Sequence, residues 1–581
     1  MFQRGAHRRD SASVAETRMR FVQAVFVLLF AAIVLRLAYL QIAQYGFYAL
    51  YASDQHVLAS KLMPTRGQIF VRDTTDESLH PLAINRLSWQ IYAVPKEMED
   101  PIDAAHKLAE ATGQVDAEVV AKLSKENDPY ELIVKDADAD MVEKVKALGL
   151  DGIGYVQSTT RLYPERGMGG QLLGFVAKDE QGFNVGRYGV EGSFNDLLAG
   201  TPGSLEAEKD AGGRRLAIGQ TNIVEARNGS DVVLTIDRAI QFKACDVIRR
   251  ATIQHNAPDG SIVVMDPHTG AVLAMCSWPD FDSAEYGKVS NLSILNNPVT
   301  LGAYEAGSVF KAFTMAAGLD AQKINPKTTY VDTGLEEIDD MKIKNSDGQA
   351  HGVQTMTAVL EQSLNTGTIF VQRQLGKDKF REYVEAFGFG RKTDIGLTPE
   401  AKGDTSSLTK KGAVFAATAS YGHGITVTPL QIVAGYAALA NGGKLFRPYI
   451  VDEIIHPDGT REKTKPELMG TPISSRASRL ITGMLINVVE NGHGKQAGVP
   501  GYWVAGKTGT ALVPREDGPG YYKDVTIGTF AGYAPANDPK FAMIVRIDRP
   551  EGVQFAESTA APVFGEMAKF LMTHMEVPKE R

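Results

Sequence analysis

Cysteine is nearly missing from this chain: its 581 residues include two, Cys245 and Cys276. Two cysteines cannot build a disulfide framework or a C-x-x-C metal pattern. Cys276, inside the apolar run AVLAMCSW, reads as a buried, inert thiol. Positive charge is also in short supply. Lysine and arginine total 61 against 69 acidic residues, a formal net charge of −8, so no global basic field exists to hold nucleic acid. The eleven histidines lack H-E-x-x-H spacing, and His423 in SYGHG reads as part of a glycine turn and not as a metal ligand. No G-x-x-x-x-G-K-[ST] loop occurs, and no G-x-G-x-x-G follows a strand and opens a helix. Neither a metal site nor a nucleotide site is expected.

Long hydrophobic runs are confined to one place. FVQAVFVLLFAAIVL covers Phe21–Leu35 and continues through Arg36 into LAYLQIA. The span 21–43 meets the roughly 20 residues needed to cross a bilayer core. Arg4, Arg8, Arg9, Arg18 and Arg20 precede it, against Asp10 and Glu16. The positive-inside rule therefore makes 1–20 a cytoplasmic tail and puts everything after residue 43 outside. The run exceeds a signal-peptide core and ends without a small-x-small site, so an uncleaved anchor is expected. Arg36 either snorkels to the outer face or faces a partner helix.

The remainder is too long for one core. Residues 44–60 read as a polar helical stalk. Across 86–160, the strand-like SWQIYAV and YELIVK alternate with the helical DAAHKLAEAT and ADMVEKVKAL, which predicts a small α+β module. Glycines cluster in 166–219 as loop-rich connections. Together 44–228 form a non-catalytic, membrane-proximal pedestal. A second domain, 229–575, begins with the strand DVVLTID and a helix over 238–255. Hairpin signals flank Pro267-His268-Thr269-Gly270 and Ala536-Asn537-Asp538-Pro539. Hairpins at both ends with helices between predict an antiparallel sheet completed by distant segments and flanked by helices. The fold class is α+β.

The chemistry gathers in this second domain. AGSVFKAFTMAAGLD sets Ser308 and Lys311 at i,i+3, on one face of a helix start. Apolar neighbours would desolvate Lys311 and ease loss of its proton, making it a competent base toward the Ser308 hydroxyl. S-x-x-K alone is weak evidence, since Ser407 and Lys410 match it too, and Ser193 and Asn195 match S-x-N. Only Ser308, Ser363 and Lys507 head the ordered triplet S-x-x-K, S-x-N, K-T-G within one domain. Ser363 can pass a proton between Lys311 and a leaving amine. Asn365 can hydrogen-bond a substrate backbone. Lys507 offers a fixed positive charge for a carboxylate, and Thr508 adds a hydroxyl. Gly509, lacking a side chain, lets a peptide pair edge-on with the strand that continues to Thr510.

With these motifs, with LTIDRAIQ, VVMDPHTGAVLAM and NNPVTLGAYEAGSVFK, and with TRLYPERG and GVEGSFNDLLAGTPG in the pedestal, the chain resembles the class B penicillin-binding proteins. It departs at Ala306, where a proline is usual, and at Val71, where an acidic residue is usual. The resemblance implies a transpeptidase domain of the serine β-lactamase-like fold. It makes Ser308 the nucleophile attacking the D-Ala–D-Ala bond of a stem peptide, with the backbone N–H groups of Ser308 and Thr510 as oxyanion hole. β-Lactams would acylate the same serine, and no cofactor is implied. The anchor ending RLAYLQI, SYGHGITVTPLQ, GYWVAGKTGTA and the segment PREDGPGYYKDVTIGTFAGYAPA look like the division-specific, septal (FtsI) type. That type implies a lipid-linked-precursor glycosyltransferase and other division proteins as partners. The elongation type is the nearest alternative, and a non-catalytic β-lactam receptor or division scaffold is a third.

Overall fold

The computed structural model describes residues 10–44, 57–73, 76–125, 128–180, 183–208, 221–515 and 517–581. The chain divides into two units, 1–64 with 201–227, and 65–200 with 228–581.

In the first unit, the apolar run forms the helix Asp10–Ala38, continued by a π turn over Tyr39–Ala43. Its stretch Arg18–Ile42 is long and apolar enough to cross a membrane, and its side chains are exposed. The Arg36 guanidinium sits over the Tyr39 ring, 5.6 Å from the centroid. Three antiparallel strands complete the unit, in the order Val57–Leu62, Gly203–Glu208, Thr221–Val224. The expected stalk falls mostly on residues outside the described set. Its described end, from Val57, is strand and not helix.

The second unit opens with a mixed sheet. Strand β1 (Ile69–Arg72) pairs with β2 (Leu79–Ala93), which carries both β3 (Glu131–Ala137) and β4 (Ile153–Leu162). Helices α1 (Pro101–Thr112) and α2 (Ala139–Ala147) form where the sequence places caps. Asp100 accepts from Ile102 N and Asp103 N, Gly113 closes α1 at φ 67°, and Asp138 accepts from Met141 N. Leu108, Val142 and Val145 bury against Ile91 and Ile133, joining these helices to the sheet. Beneath it, Glu191 is fully buried between Arg66 and Arg161, each 2.7 Å from one of its oxygens. A buried carboxylate needs such partners, and two of the quoted motifs, TRLYPERG and GVEGSFN, supply Arg161 and Glu191.

Strand β5 (Asp231–Asp237) lies in this same sheet, parallel to β1 and antiparallel to Val451–Ile455. It leads into α3 (Arg238–Gln254), N-capped by Asp237. The second sheet is five-stranded and fully antiparallel. It uses β6 (Asp259–Met265), β7 (Val272–Trp278), and three C-terminal strands, β8 (Ala505–Pro514), β9 (Tyr521–Ala534) and β10 (Phe541–Asp548), in the order β7-β6-β10-β9-β8. Period-two alternation sends Phe530, Met543 and Val545 to one face, against α3 and the C-terminal helix Ala560–His574. Ala531, Ala542 and Ile544 go to the other, against helices Lys311–Asp320, Pro429–Ala440 and Ser475–Glu490. The sheet is thus the middle of three layers, as the separated hairpins predict.

One expectation is overturned here. Cys276 is not a free thiol: it forms a disulfide with Cys245, joining β7 to α3. The residues lie 31 apart in sequence, and only the packing of the helix on the strand brings their Cα atoms to 5.2 Å.

Candidate active site

Ser308 sits in a 3₁₀ turn, Gly307–Phe310, that runs directly into helix α4 (Lys311–Asp320). The turn is wedged between two backbones. Gly307 has φ +57°, and a Cβ there would lie 3.2 Å from Thr510 O of β8. Its N–H donates to Gly422 O at 3.1 Å, and a Cβ on Gly422 would run into Gly307 O at 2.2 Å. Glycine is required at both positions for the Ser308 turn to seat. Ser308 is half-buried, whereas Val309, Phe310 and Lys311 are fully buried.

The Lys311 ammonium nitrogen donates to Ser363 O and lies 3.2 Å from Ser363 Oγ. Lys507 Nζ lies 3.0 Å from the same Oγ, and donates to Thr508 O at 3.1 Å. Burial drives the Lys311 pKa well below the ordinary lysine range, and the charge of Lys507 lowers it further. Burial likewise brings Lys507 down to about 7, against a small opposing pull from Glu557. The charge of Lys507 therefore depends on its surroundings more than its motif implies.

Ser363 holds φ +59°, a left-handed conformation uncommon outside glycine, at the corner between helices Met356–Glu361 and α5 (Asn365–Leu375). Asn365 opens α5, and its Nδ2 donates to Lys344 O at 2.8 Å. The network beneath is closed. Asp332 accepts from Asn345 Nδ2 through both oxygens, from Thr366 Oγ1 at 2.8 Å, and from the N–H groups of Gly334 and His351.

The K-T-G-T residues lie on β8, the edge strand of the sheet. The structure gives Gly509 a reason beyond the expected one. A Cβ there would meet Val309 Cγ1 at 2.9 Å and Ala306 O at 3.0 Å, so the missing side chain lets β8 close on the Ser308 turn. Thr510 Oγ1 accepts from Ala556 N at 3.1 Å. The alternative motif matches fall elsewhere. Ser407 is buried on a separate 3₁₀ turn and Lys410 is exposed over the Phe415 ring. Asn195 accepts from Arg66 Nη1 and Gly186 N, a structural task in the pedestal.

Three residues at this site escaped the motifs. Glu305, 9% exposed, accepts from Gly424 N at 2.9 Å and from Tyr521 OH at 3.0 Å, and lies 3.4 Å from His423 Nδ1. Burial raises the Glu305 pKa against those two hydrogen bonds. Burial, helped by the charge of Lys311, pulls His423 down to about 4. Glu305 stands three residues before Ser308, and His423 lies in the turn whose Gly422 clamps Gly307. The one sequence signal was that glycine turn, SYGHG.

A half-buried serine three residues before a buried lysine, with two lysines sharing the Ser363 hydroxyl and an edge strand alongside, is an arrangement suited to serine acyl transfer. Residues 260–569 match the family described as the penicillin-binding protein transpeptidase domain, and 61–234 match the penicillin-binding protein dimerisation domain. The chain is 33% identical over 568 residues to stage V sporulation protein D of Bacillus subtilis, covering 97% of this chain and 86% of that one. It is 30% identical to a probable peptidoglycan D,D-transpeptidase of Pseudomonas aeruginosa, covering 97% and 96%. Penicillin-binding protein 3 from Mycobacterium tuberculosis superposes with a TM-score of 0.68 at 26% identity, covering 90% of this chain and 98% of that one. Penicillin-binding protein 2X from Streptococcus thermophilus, at 23% identity and 89% and 80% coverage, gives 0.76 and shares the fold. The chain belongs to the class B penicillin-binding proteins, the peptidoglycan D,D-transpeptidases.

Proposed function

We propose that this transpeptidase cross-links peptidoglycan at the division septum, with Ser308 as its acyl carrier. The observation that carries the chemistry is the convergence of Lys311 and Lys507 on Ser363 Oγ, next to the Ser308 turn. Lys311, proton-poor through burial, takes the Ser308 proton. Ser308 Oγ attacks the carbonyl of the D-Ala–D-Ala bond, and Ser363 carries the proton to the departing amine. Asn365 steadies the donor backbone. Lys507 and Thr508 hold its terminal carboxylate, with Gly509 and Thr510 alongside on the edge strand. The N–H groups of Ser308 and Thr510 receive the oxyanion. An amine from a second stem peptide then takes the acyl group from Ser308. A β-lactam enters by the same route and stays.

The chain is organised as a cytoplasmic tail (1–20), an anchor (21–43), a pedestal (44–228) and the transpeptidase domain (229–575) in the periplasm. The Cys245–Cys276 disulfide favours that side, since disulfides persist in oxidising compartments. A reporter active only in the cytoplasm, fused after Arg581, is expected to be silent; activity would reverse the topology.

The septal role rests on the anchor ending RLAYLQI and on SYGHGITVTPLQ, GYWVAGKTGTA and the PREDGPGYYKDV segment. A Mesostigma viride relative, 27% identical, carries the name FtsI homolog. The polar Arg36 within the anchor offers a contact for a membrane partner, here a lipid-linked-precursor glycosyltransferase of the division machinery. Depletion in the native host is expected to give filaments with unfinished septa, and a fluorescent fusion to gather at mid-cell. Rounded cells with dispersed fluorescence would assign the protein to elongation instead.

A further inference from the structure

The transpeptidase chemistry above accounts for Lys311, Ser363 and Lys507, but leaves a buried carboxylate and an imidazole beside Ser308 with no task. It also leaves one proton without a destination. The second substrate is an amine, which at neutral pH arrives as an ammonium. Forming an amide from it removes two protons, and the Lys311 relay returns only one of them to Ser308 Oγ.

We infer that Glu305 and His423 form the acceptor subsite, where Glu305 draws in the ammonium of the second stem peptide and His423 takes its first proton. The inference rests on the transpeptidase reading of Ser308. In the step, the ammonium N–H bond breaks toward the His423 imidazole, giving a neutral amine and an imidazolium beside the Glu305 carboxylate. The amine nitrogen bonds to the acyl carbon and the carbon–Oγ bond of Ser308 breaks. The second proton passes through Lys311 to Ser308 Oγ, and the imidazolium releases its own to solvent. Lys311 and Ser308 end as they began.

Four observations support it. Glu305 is the buried acidic group three residues before Ser308, whereas Lys311 and Lys507, the buried lysines at Ser363, carry no negative charge to attract an ammonium. Its oxygens are held by Gly424 N and Tyr521 OH, so the carboxylate is fixed in place. His423 Nδ1 lies 3.4 Å from Glu305, and the mostly buried side chain keeps 19% of its surface exposed. The turn bearing His423 is locked to the nucleophile turn by the Gly307–Gly422 hydrogen bond. The groups facing His423 are Glu305 from the approach segment, Lys311 from α4, Tyr421 from its own turn and Tyr521 from β9. With Lys311 neutral, as its burial favours, one of the two causes that hold His423 unprotonated is removed, and the ring becomes a better base.

The test separates the two half-reactions. The full-length protein in detergent is acylated with a D-alanyl thioester donor. The acyl-enzyme is then offered either Nα-acetyl-lysine, charged at pH 7, or hydroxylamine, largely uncharged there. In His423→Ala, transfer to Nα-acetyl-lysine is expected to fall about 100-fold, the lower end of the range for general-base loss. Transfer to hydroxylamine is expected to fall at least about tenfold less, because that nucleophile has no first proton to give up. Glu305→Gln is expected to raise the half-saturating concentration of Nα-acetyl-lysine and leave that of hydroxylamine nearly unchanged. Raising the pH toward the amine's own pKa should narrow the His423→Ala defect. Equal losses with both acceptors, or no loss with Nα-acetyl-lysine, would overturn the assignment. If His423→Ala misfolds, as judged by thermal melting, His423→Gln is measured against the same outcomes. A wild-type protein that takes no label from fluorescent penicillin would overturn the transpeptidase reading itself, and this inference with it.

Discussion

Lys311 and Lys507 aim their ammonium nitrogens at one hydroxyl, 3.2 and 3.0 Å from Ser363 Oγ. Both are fully buried. Two full positive charges sharing one small dipole in a low-dielectric site repel strongly, so the arrangement favours a neutral Lys311. The proposed base, Lys311, and the proposed carboxylate clamp, Lys507, thus share one buried hydroxyl.

Ser308→Ala should abolish covalent labelling by fluorescent penicillin, and its thermal melt should stay within a few degrees of wild type, since a half-buried hydroxyl contributes little to stability. Ser407→Ala should label normally. If Ser407→Ala were silent and Ser308→Ala labelled, the nucleophile assignment would be wrong.

The two lysines should fail differently. Lys311→Ala should suppress acylation at saturating β-lactam by about 10²- to 10⁴-fold, the range for a lost general base. Lys507→Ala should weaken β-lactam capture more than the maximal acylation rate. Stopped-flow acylation over a range of β-lactam concentrations reads both constants. Wild-type acylation in Lys311→Ala would remove it as the base.

Acylation should carry an alkaline limb near pH 7. As pH rises through the Lys507 pKa of about 7, the clamp on the ligand carboxylate loses its charge. The second-order rate constant reports the free enzyme and should fall there. Lys507→Arg, charged at all accessible pH, should lack that limb; its persistence would assign the limb to another group. The stability sign is opposite to that of a salt bridge. A lysine depressed from about 10.4 when unfolded to about 7 when folded destabilises fully below the folded value. That cost declines as pH rises between the two, so denaturant midpoints should climb less from pH 7 to 9 in Lys507→Met than in wild type.

Asp332→Ala should both unfold more easily and acylate poorly. It strips the buried partner from Asn345 and Thr366, and Asn345 is the neighbour of Lys344, whose carbonyl anchors Asn365. Buried donors left unpaired cost about 1–3 kcal/mol each. Burial alone would raise the Asp332 pKa, but hydrogen bonds from Gly334 N, Thr366, Asn345 and His351 N outweigh it and lower it. Its stabilisation is present above the ordinary aspartate range and is lost as pH falls below that range. Equilibrium unfolding and penicillin labelling of the variant check both effects. Unchanged labelling would remove the network from the site.

Converting Cys245 and Cys276 to serine should lower stability by about 3–4 kcal/mol on the chain-entropy estimate for a loop of this length. The two residues are 31 apart in sequence. Maleimide capture in cells should find neither thiol free. A readily labelled pair would place this domain in a reducing compartment.

Ser308, Lys311, Ser363 and the Lys507-Thr508-Gly509 strand could be read from the sequence because helical spacing and motif order are local properties, and chemistry restricts which residues can serve. The N-terminal apolar helix was legible for the same reason: apolar length needs no partner to interpret. The two hairpins and the α+β module of 86–160 followed from period and turn residues. What required the tertiary structure was every relation between distant segments. Cys245 meets Cys276 only because α3 packs on β7. Strand β5 reads as the opening of the transpeptidase domain, yet it pairs with β1 through backbone hydrogen bonds that carry no side-chain signature. The motif alone reads Lys507 as a fixed charge, while its burial lowers its proton affinity, since desolvation depends on the surroundings and not on residue type. Glu305, His423 and Tyr521 belong to no motif, and they meet only where the approach to the nucleophile, a glycine turn and a sheet strand close on one another.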